Sequence, residues 1–382
     1  MNMMAFSLLF CSTRFIPTPF LSTATNLLSP QHNCASFIPQ KKQCKREFPL
    51  PAVASVPYEP INFEYLQEEF SGHGVTFEEA CGSCVVKMEL RNGSTVTMML
   101  PSGLITSYKA LMWHGGKVEL LHTSVSEGEN GDPLIQGGVS LNFNFQTDHD
   151  GELSWSPTNW VLHKIHGKPR ESIQVELATR TPDDKIGLRY IVTLEKDTLN
   201  SELKISNRRS LPLQVTGSIL NHLTLSSPEA TYAIGLEGSS YCSIPLFESE
   251  FMLSPKDSSQ GEGFGKVFPQ WSTKSENNGL EGSQVNNEEI DNYKQLSEEL
   301  SLLYTEAPRS FTVIDRGRRN SVSVGRSGFD EMYLFSPGSR VEIYSKYSYI
   351  CVGQASILKP IIISPQDVWR GEQFIYNPNL DA

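Results

Sequence analysis

The chain has 382 residues, and its 43 Asp and Glu residues outnumber its 32 Lys and Arg residues, so the formal net charge at pH 7 is −11. This acidic balance argues against a nucleic-acid partner and against electrostatic docking on anionic lipid. No segment offers the roughly 18 consecutive apolar residues that a membrane-spanning helix needs, so we expect none.

The first 50 residues have the composition of an organelle-targeting peptide. They are rich in Ser, Thr and Pro, and the first acidic residue is Glu47. The apolar run over residues 4–10 is followed at once by polar residues, which argues against the uninterrupted core of a secretory signal. We predict that residues 1–50 are a removable chloroplast transit peptide, with mitochondrial import as the main alternative. The basic residues of this segment are Arg14, Lys41, Lys42, Lys45 and Arg46.

Residues 51–74 read as an N-terminal extension that contains a short helix. Over residues 58–70, Ile61, Tyr65 and Leu66 are near helical spacing among several glutamates. This pattern predicts one short amphipathic helix before the main domain.

From residue 75 to residue 382 the sequence predicts one large all-β domain. Short runs rich in Val, Ile, Leu, Thr, Phe and Tyr recur about every ten residues and are separated by Gly, Asn, Asp, Pro or Ser. This spacing is typical of a large antiparallel β-sandwich. The predicted strands cover residues 85–90, 94–100, 104–108, 117–121, 172–179, 187–194, 201–206 and 213–219.

Residues 254–289 interrupt the strand pattern. This stretch is rich in Ser, Gly, Asn and Glu and has few aliphatic residues, so we predict a flexible, disordered insertion. A role in binding a partner and a role as a tolerated loop both stay open. Apolar residues over 290–303 recur near a period of 3.6, which predicts a second short helix leading back into the sheet.

Several segments, taken in order, resemble the galactose mutarotase-like sandwiches and within them the glucose-6-phosphate 1-epimerases. The family motifs RGGIP, HGFAR, ALHTYF and VCVE have counterparts of similar order and spacing here. The resemblance covers about residues 75–374 and implies the same sandwich fold. The matching segments are residues 102–109 (SGLITSYK), 134–143 (LIQGGVSLNF), 148–155 (DHDGELSW), 218–222 (SILNH), 299–319 and 350–353 (ICVG).

The resemblance also implies that the sugar chemistry of the family is lost. Mutarotation needs a general base at the anomeric hydroxyl and a general acid at the ring oxygen. The glutamate base of the family falls on Gly353, while the histidine acid falls on His222. The family's other site histidine is replaced near Asp150, and one of its phosphate-binding arginines falls on Gln136. These four positions are therefore interpreted as vestiges of a site, with no catalytic residue assigned.

A plastid-targeted chain of this kind is similar to the epimerase-like subunits of the chloroplast NADH dehydrogenase-like (NDH) complex, in its subcomplex B. That resemblance implies a non-catalytic structural or assembly subunit that supports cyclic electron flow around photosystem I. It also implies a peripheral position on the stromal side of the thylakoid membrane, with other subunits of the complex as partners. Two alternatives stay open: a plastid hexose-6-phosphate 1-epimerase with a displaced base, and a carbohydrate-binding protein.

Weaker patterns suggest no cofactor and no metal. Cys81 and Cys84 have the spacing of a redox pair, but a strand follows them, so two buried or turn residues are the favoured interpretation. His163 and His166 lack a third ligand at metal spacing and are interpreted as exposed side chains of a turn. The arginines within residues 316–319 fit either a docking surface or a hairpin turn. The sequence contains no phosphate-binding glycine loop and no haem or iron–sulfur motif.

Overall fold

The computed structural model describes residues 63–80, 83–127, 133–146, 155–245, 287–339 and 348–378. All of these residues belong to one compact unit, Glu59–Ala382. Within the described ranges, no helix is both long enough and apolar enough to cross a bilayer. The predicted transit peptide, Cys81, Asp150 and the insertion up to residue 286 lie outside the described residues.

Most of the described chain is β-strand, because apolar and polar side chains alternate along it. The elements are α1 Phe63–Glu69, β1 Val75–Ala80, β2 Ser83–Glu89, β3 Thr95–Met99, β4 Ile105–Leu111, β5 Lys117–Glu119, β6 Thr123–Glu127, β7 Pro133–Gly137, β8 Val139–Gln146, β9 Val161–Lys168, β10 Ser172–Arg180, β11 Ile186–Glu195, β12 Thr198–Asn207, β13 Leu213–Thr224, a 3₁₀ helix Pro228–Ala230, β14 Thr231–Ile234, β15 Ser240–Ser243, β16 Asn287–Glu288, β17 Tyr293–Gln295, β18 Glu299–Tyr304, β19 Ser310–Asp315, β20 Asn320–Ser327, β21 Glu331–Pro337, β22 Tyr349–Ile363 and β23 Val368–Tyr376.

Two large sheets contain nearly all of these strands. A twelve-stranded sheet has the order β1-β2-β3-β4-β8-β13-β22-β21-β18-β15-β16, with β5 paired to β4. A nine-stranded sheet has the order β17-β14-β19-β20-β23-β12-β11-β10-β9, and β6 and β7 form a separate hairpin. The pairings among the described strands are antiparallel. The predicted all-β antiparallel fold class is therefore confirmed.

The inner faces of the two sheets enclose the main hydrophobic core. Met88, Val96 and Ile219 enter it from the twelve-stranded sheet, while Val175 and Leu203 enter it from the nine-stranded sheet. Burial of each side chain of this size contributes about 1.5–3 kcal/mol to the stability of the folded state. The period-two alternation of the strands thus produces a two-layer sandwich.

One polar link crosses this core. The side-chain amides of Asn221 on β13 and Gln373 on β23 each donate to the other's oxygen at 2.7 Å. Asn221 also donates to the carbonyl oxygen of Val352 at 3.0 Å. Both amides are buried, and a buried amide left without a partner costs about 1–3 kcal/mol. The pair therefore favours a single relative position of β13 and β23.

The short helix predicted before the domain is confirmed over Phe63–Glu69. Residues 58–62 of that prediction lie outside the described residues. Phe63 and Leu66 pack against the main core, whereas Tyr65, which was part of the predicted apolar spacing, is exposed.

The prediction of a helix over residues 290–303 is wrong. Tyr293–Gln295 and Glu299–Tyr304 are strands, and the second pairs with β15 and β21 inside the twelve-stranded sheet. Leu302 faces the main core, while Leu303 packs on the opposite face of the sheet. Because Leu302 and Leu303 are buried on opposite faces, the apolar residues of this strand do not alternate. Ile290 and Tyr293, which completed the apparent helical spacing, are exposed.

Candidate functional site

The sequence-matched site residues lie on the outer face of the twelve-stranded sheet, the face turned away from the nine-stranded sheet. Ile219 and Val352 belong to the core between the sheets. Successive side chains of a strand point to opposite faces, so Leu220 and Gly353 face outward. His222 shares this face because it follows Leu220 by two residues.

Two neighbouring cross-strand rows contain these positions. Both rows run across β8, β13, β22 and β21, in that order. The first row is Ser140, Leu220, Gly353 and Tyr333. The second row, next to it, is Gly138, His222, Cys351 and Phe335. His222 and Gly353 are diagonal neighbours on adjacent strands, a relation that places such residues about 7–8 Å apart. The fold therefore brings together two positions that are 131 residues apart in the chain.

The space beside Gly353 is filled by a leucine. A Cβ atom added to Gly353 would lie 2.4 Å from Leu220 Cδ2 and 3.3 Å from the carbonyl oxygen of Ile219. Leu220 is fully buried in a cluster that includes Tyr333 and Cys351. A carboxylate at this position would require Leu220 to move, so the position lacks both the acid–base group and the room for it.

His222 is a buried, neutral imidazole. Its Nδ1 lies 3.4 Å from the carbonyl oxygen of Gly138, which can only accept, so Nδ1 carries the proton in this contact. Its Nε2 atom is buried, and no hydrogen-bond partner for it lies among the described residues. Burial, with a smaller contribution from nearby His122, lowers the pKa of His222 to about 4. At neutral pH this side chain is therefore not the protonated acid that ring opening requires.

The structure adds His122 and Tyr349 to the site, which the sequence did not single out. The His122 ring stacks on the Tyr349 ring with centroids 5.2 Å apart and planes 6° apart, and the His222 ring lies 5.8 Å from Tyr349 on centroids. The backbone N–H of His122 donates to the carbonyl oxygen of His222 at 2.8 Å. Burial and the charge of Arg318 lower the pKa of His122. No sequence motif marks this pair, because its members meet only through strand pairing.

Gln136 lies on β7, where it pairs with Ser124 across the β6–β7 hairpin. It precedes a glycine pair, Gly137 and Gly138, that turns the chain into β8. Gly138 has a φ of 65°, and a Cβ atom there would lie 2.0 Å from the carbonyl oxygen of Ile105. The glycine is therefore required where the hairpin meets the sheet, while the neutral Gln136 cannot supply the charge of the family's phosphate-binding arginine.

Within the part of the chain that the structure describes, three buried polar side-chain atoms on this outer face have no hydrogen-bond partner. They are Ser140 Oγ, Ser218 Oγ and His222 Nε2. Ser140 pairs with Leu220, and Ser218 precedes Leu220 by two residues, so both share its face. Buried polar atoms are normally bonded to protein or to ordered solvent, so this face offers hydrogen bonds to a neutral polar group.

None of the carboxylates that could replace the missing base is shown to be free beside Gly353. Glu372 lies on β23, in the other sheet. Glu331 lies on the outer face two residues before Tyr333, but its carboxylate accepts the backbone N–H groups of residues 357, 358 and 359 at 2.5–3.1 Å. Glu342 lies outside the described residues. Neither Glu331 nor Glu372 is thus a free base beside Gly353.

Cys84 and the two histidines of β9 are placed away from this site. Cys84 is only 3% exposed and faces the main core, and burial raises the pKa of its thiol to about 11. His163 and His166 lie on the exposed edge strand β9, so the turn expected there is wrong. His163 Nε2 lies 4.0 Å from a carboxylate oxygen of Glu176. Among the described residues, no group of three His, Cys, Asp or Glu side chains has metal-binding geometry.

The arginine cluster forms the turn between β19 and β20. The Arg316 guanidinium lies over the Tyr232 ring, 4.6 Å from its centroid. Arg318 donates to Thr224 Oγ1 at 3.1 Å and to the carbonyl oxygen of Glu119 at 3.4 Å. The hairpin interpretation agrees with this geometry, and Arg318 connects the turn to the twelve-stranded sheet.

No protein-family model matches the chain. A curated relative, the protein NDH-dependent cyclic electron flow 5 from Arabidopsis thaliana, is 44% identical over 344 residues, which cover 88% of this chain and 89% of the relative.

Solved mutarotase-type structures share the fold at low sequence identity. The mutarotase-type protein YeaD from Salmonella typhimurium has a TM-score of 0.55 and 11% identity, with 79% of this chain and 92% of that chain covered. A galactose mutarotase-like protein from Clostridium acetobutylicum has a TM-score of 0.54 and 10% identity, with 80% and 98% covered. The resemblance to this fold that the sequence motifs predict is confirmed. With the galactose mutarotase-like sandwich as its fold, the chain belongs to the family of the Arabidopsis protein NDH-dependent cyclic electron flow 5.

Proposed function

We propose that the chain is a non-catalytic structural or assembly subunit of the chloroplast NDH complex, in subcomplex B, that supports cyclic electron flow around photosystem I. The observation that carries this proposal is the 44% identity, over nearly the full length of both chains, to a protein named for NDH-dependent cyclic electron flow. The composition of residues 1–50, read as a transit peptide, supports a chloroplast location.

The geometry of the outer face supports a role without catalysis. Leu220 occupies the space that a base at Gly353 would need, and His222 is neutral at physiological pH. Loss of a general base alone costs a factor of about 10²–10⁴ in rate. A site that lacks both the base and a protonated acid accelerates ring opening little over water.

The proposed location is the stromal side of the thylakoid membrane, with the chain held there by protein partners. A net charge of −11 repels the anionic lipid surface, and removal of residues 1–50 makes the charge more negative. Attachment through other subunits of the complex is the arrangement that this charge favours.

The proposal is tested by native-gel separation of mildly solubilised thylakoids, blotted for this chain and for a core subunit of the NDH complex. We expect both proteins to migrate together at high mass. In a mutant that lacks this chain, the high-mass band of the core subunit should be lost. Migration of this chain as a free stromal protein of domain size, with the core complex intact in the mutant, would overturn the proposal.

A second candidate function, carbohydrate binding with or without residual 1-epimerase activity, is favoured by one observation. The unpartnered Ser140 Oγ, Ser218 Oγ and His222 Nε2 atoms present hydrogen-bonding capacity on the face where the family binds sugars. Calorimetric titration with hexoses and hexose 6-phosphates tests binding, and saturation-transfer exchange between the anomers tests turnover. Flat heats and an exchange rate equal to the spontaneous rate would exclude this candidate.

A further inference from the structure

A cavity that includes none of the residues assigned to the candidate site lies where loops of the two sheets meet. Its volume is about 550 Å³, and its lining includes the β18–β19 loop, the β20–β21 turn and the middle of β22. The ionisable residues that line it are Glu306, Arg309, Arg326, Asp330, Glu331 and Lys359.

Arg326 is the buried cation of this cavity. Only 5% of its surface is exposed. Its Nη1 and Nη2 atoms donate to the carbonyl oxygens of Pro308 at 2.6 Å and Ala307 at 2.7 Å, and its Nε donates to that of Phe329 at 3.2 Å. These bonds engage all three guanidinium nitrogens and use three of its five N–H donors; among the described residues, no acceptor pairs with the second N–H of Nη1 or of Nη2.

The charge of Arg326 is not balanced by a direct ion pair. Among the described residues, no carboxylate oxygen lies within 4.0 Å of its nitrogen atoms. Burial and the nearby Arg309 lower its pKa to about 10, while the charge of Asp330 partly opposes this shift, so the side chain stays cationic at physiological pH. A buried charge without an opposite charge in contact is costly, and an anion in the cavity would remove that cost.

The carboxylates around the cavity already have partners. Glu331 accepts three backbone N–H groups of β22. Asp330 is shared by Lys359 at 3.1 Å and Arg309 at 3.8 Å. Glu306 is an exposed side chain that accepts from Ser240 Oγ at 3.2 Å. Arg309 and Lys359 are thus exposed cations beside the buried guanidinium.

We propose that this cavity binds an oxyanion, a carboxylate or a phosphate group, through the two unused N–H donors of Arg326. The remaining N–H donors, one on each terminal nitrogen, can each donate to an oxygen of such a group. Arg309 contributes a second positive charge next to the bound group. This site is separate from the outer-face site, and it is independent of the proposed role in cyclic electron flow.

The test is calorimetric titration of the full chain with sodium acetate and with sodium phosphate at constant ionic strength. Saturable binding in the millimolar range or tighter is expected for at least one anion. The anion that binds more tightly identifies the ligand as a carboxylate or a phosphate. Absence of saturable heat for both anions would overturn the proposal and leave Arg326 as a brace for the two loops.

Variants locate the bound anion. Arg309→Gln removes an exposed charge and the hydrogen bond from its Nη1 to the carbonyl oxygen of Phe329 at 2.7 Å. We expect it to weaken binding about ten-fold or more, which corresponds to about 1.4 kcal/mol. Arg180→Gln is the matched control, because Arg180 has a similar exposure, 60% against 65%, and a similar aspartate partner in another loop. An equal loss in both variants would mean non-specific surface binding and would contradict the assigned site. A circular-dichroism spectrum confirms that each variant is folded.

Discussion

Packing of Leu220 against Gly353 predicts the effect of adding a side chain at position 353. Replacement of a strand glycine by alanine normally stabilises a protein by about 0.5–1 kcal/mol. Here the new methyl group would lie 2.4 Å from Leu220 Cδ2, inside a fully buried cluster. Overpacking of this kind costs about 1–3 kcal/mol. Gly353→Ala is therefore expected to lower the free energy of unfolding by up to about 2 kcal/mol.

A double-mutant cycle isolates this contact. Leu220→Ala alone should lower the free energy of unfolding by about 2–5 kcal/mol, because it leaves a cavity. In that background the methyl group of Gly353→Ala enters empty space, and the substitution should become stabilising by about 0.5–1 kcal/mol. The expected coupling between the two positions is therefore about 1–3 kcal/mol.

The measurement is urea unfolding followed by tryptophan fluorescence, checked against circular dichroism for two-state behaviour. Gly187→Ala on β11 is the matched control, because a Cβ atom there meets no atom within 4 Å, and it should stabilise the chain. If Gly353→Ala has the same effect in both backgrounds to within about 0.5 kcal/mol, Leu220 does not occupy the space beside position 353.

Three further predictions concern buried polar groups. The pKa of His222 is about 4 in the folded state, below its unfolded value near 6.5. Between these two pH values the unfolded state binds more protons, so the free energy of unfolding falls as the pH drops through this range. From pH 7 to pH 5 the wild type should lose about 2 kcal/mol more than His222→Gln in denaturant titrations; equal losses would contradict burial of a neutral imidazole. Gln373→Ala should cost about 1–3 kcal/mol by leaving the buried Asn221 Oδ1 without its donor, whereas the double replacement by leucine should cost less than the sum of the single ones. Cys84 should resist thiol labelling at pH 8 in the folded chain and react on unfolding, as read by peptide mass spectrometry; rapid native labelling would support a redox role.

Local sequence patterns were sufficient to predict the fold class. Alternating apolar residues in β10, β11 and β12 reflect strands with one face toward the core, and the structure has those strands within a few residues of the predicted bounds. The same logic failed at β18, where apolar residues pack on both faces and alternation is lost. The spacing of apolar residues shows which faces of an element are buried. It identifies a strand only when one face of that strand is exposed.

By itself, the sequence determined that position 353 has no base, because a missing side chain is a covalent fact and needs no neighbour to establish it. Only the tertiary structure decided that Leu220 fills the vacated space, that His222 is buried and neutral, and that His122 lies next to it. These properties depend on the register of β13 with β22 and on contacts between residues up to 131 positions apart. Local sequence patterns encode the face of the strand on which a side chain lies. The burial of that side chain, its pKa and the space around it depend on neighbouring strands that come together only when the chain folds.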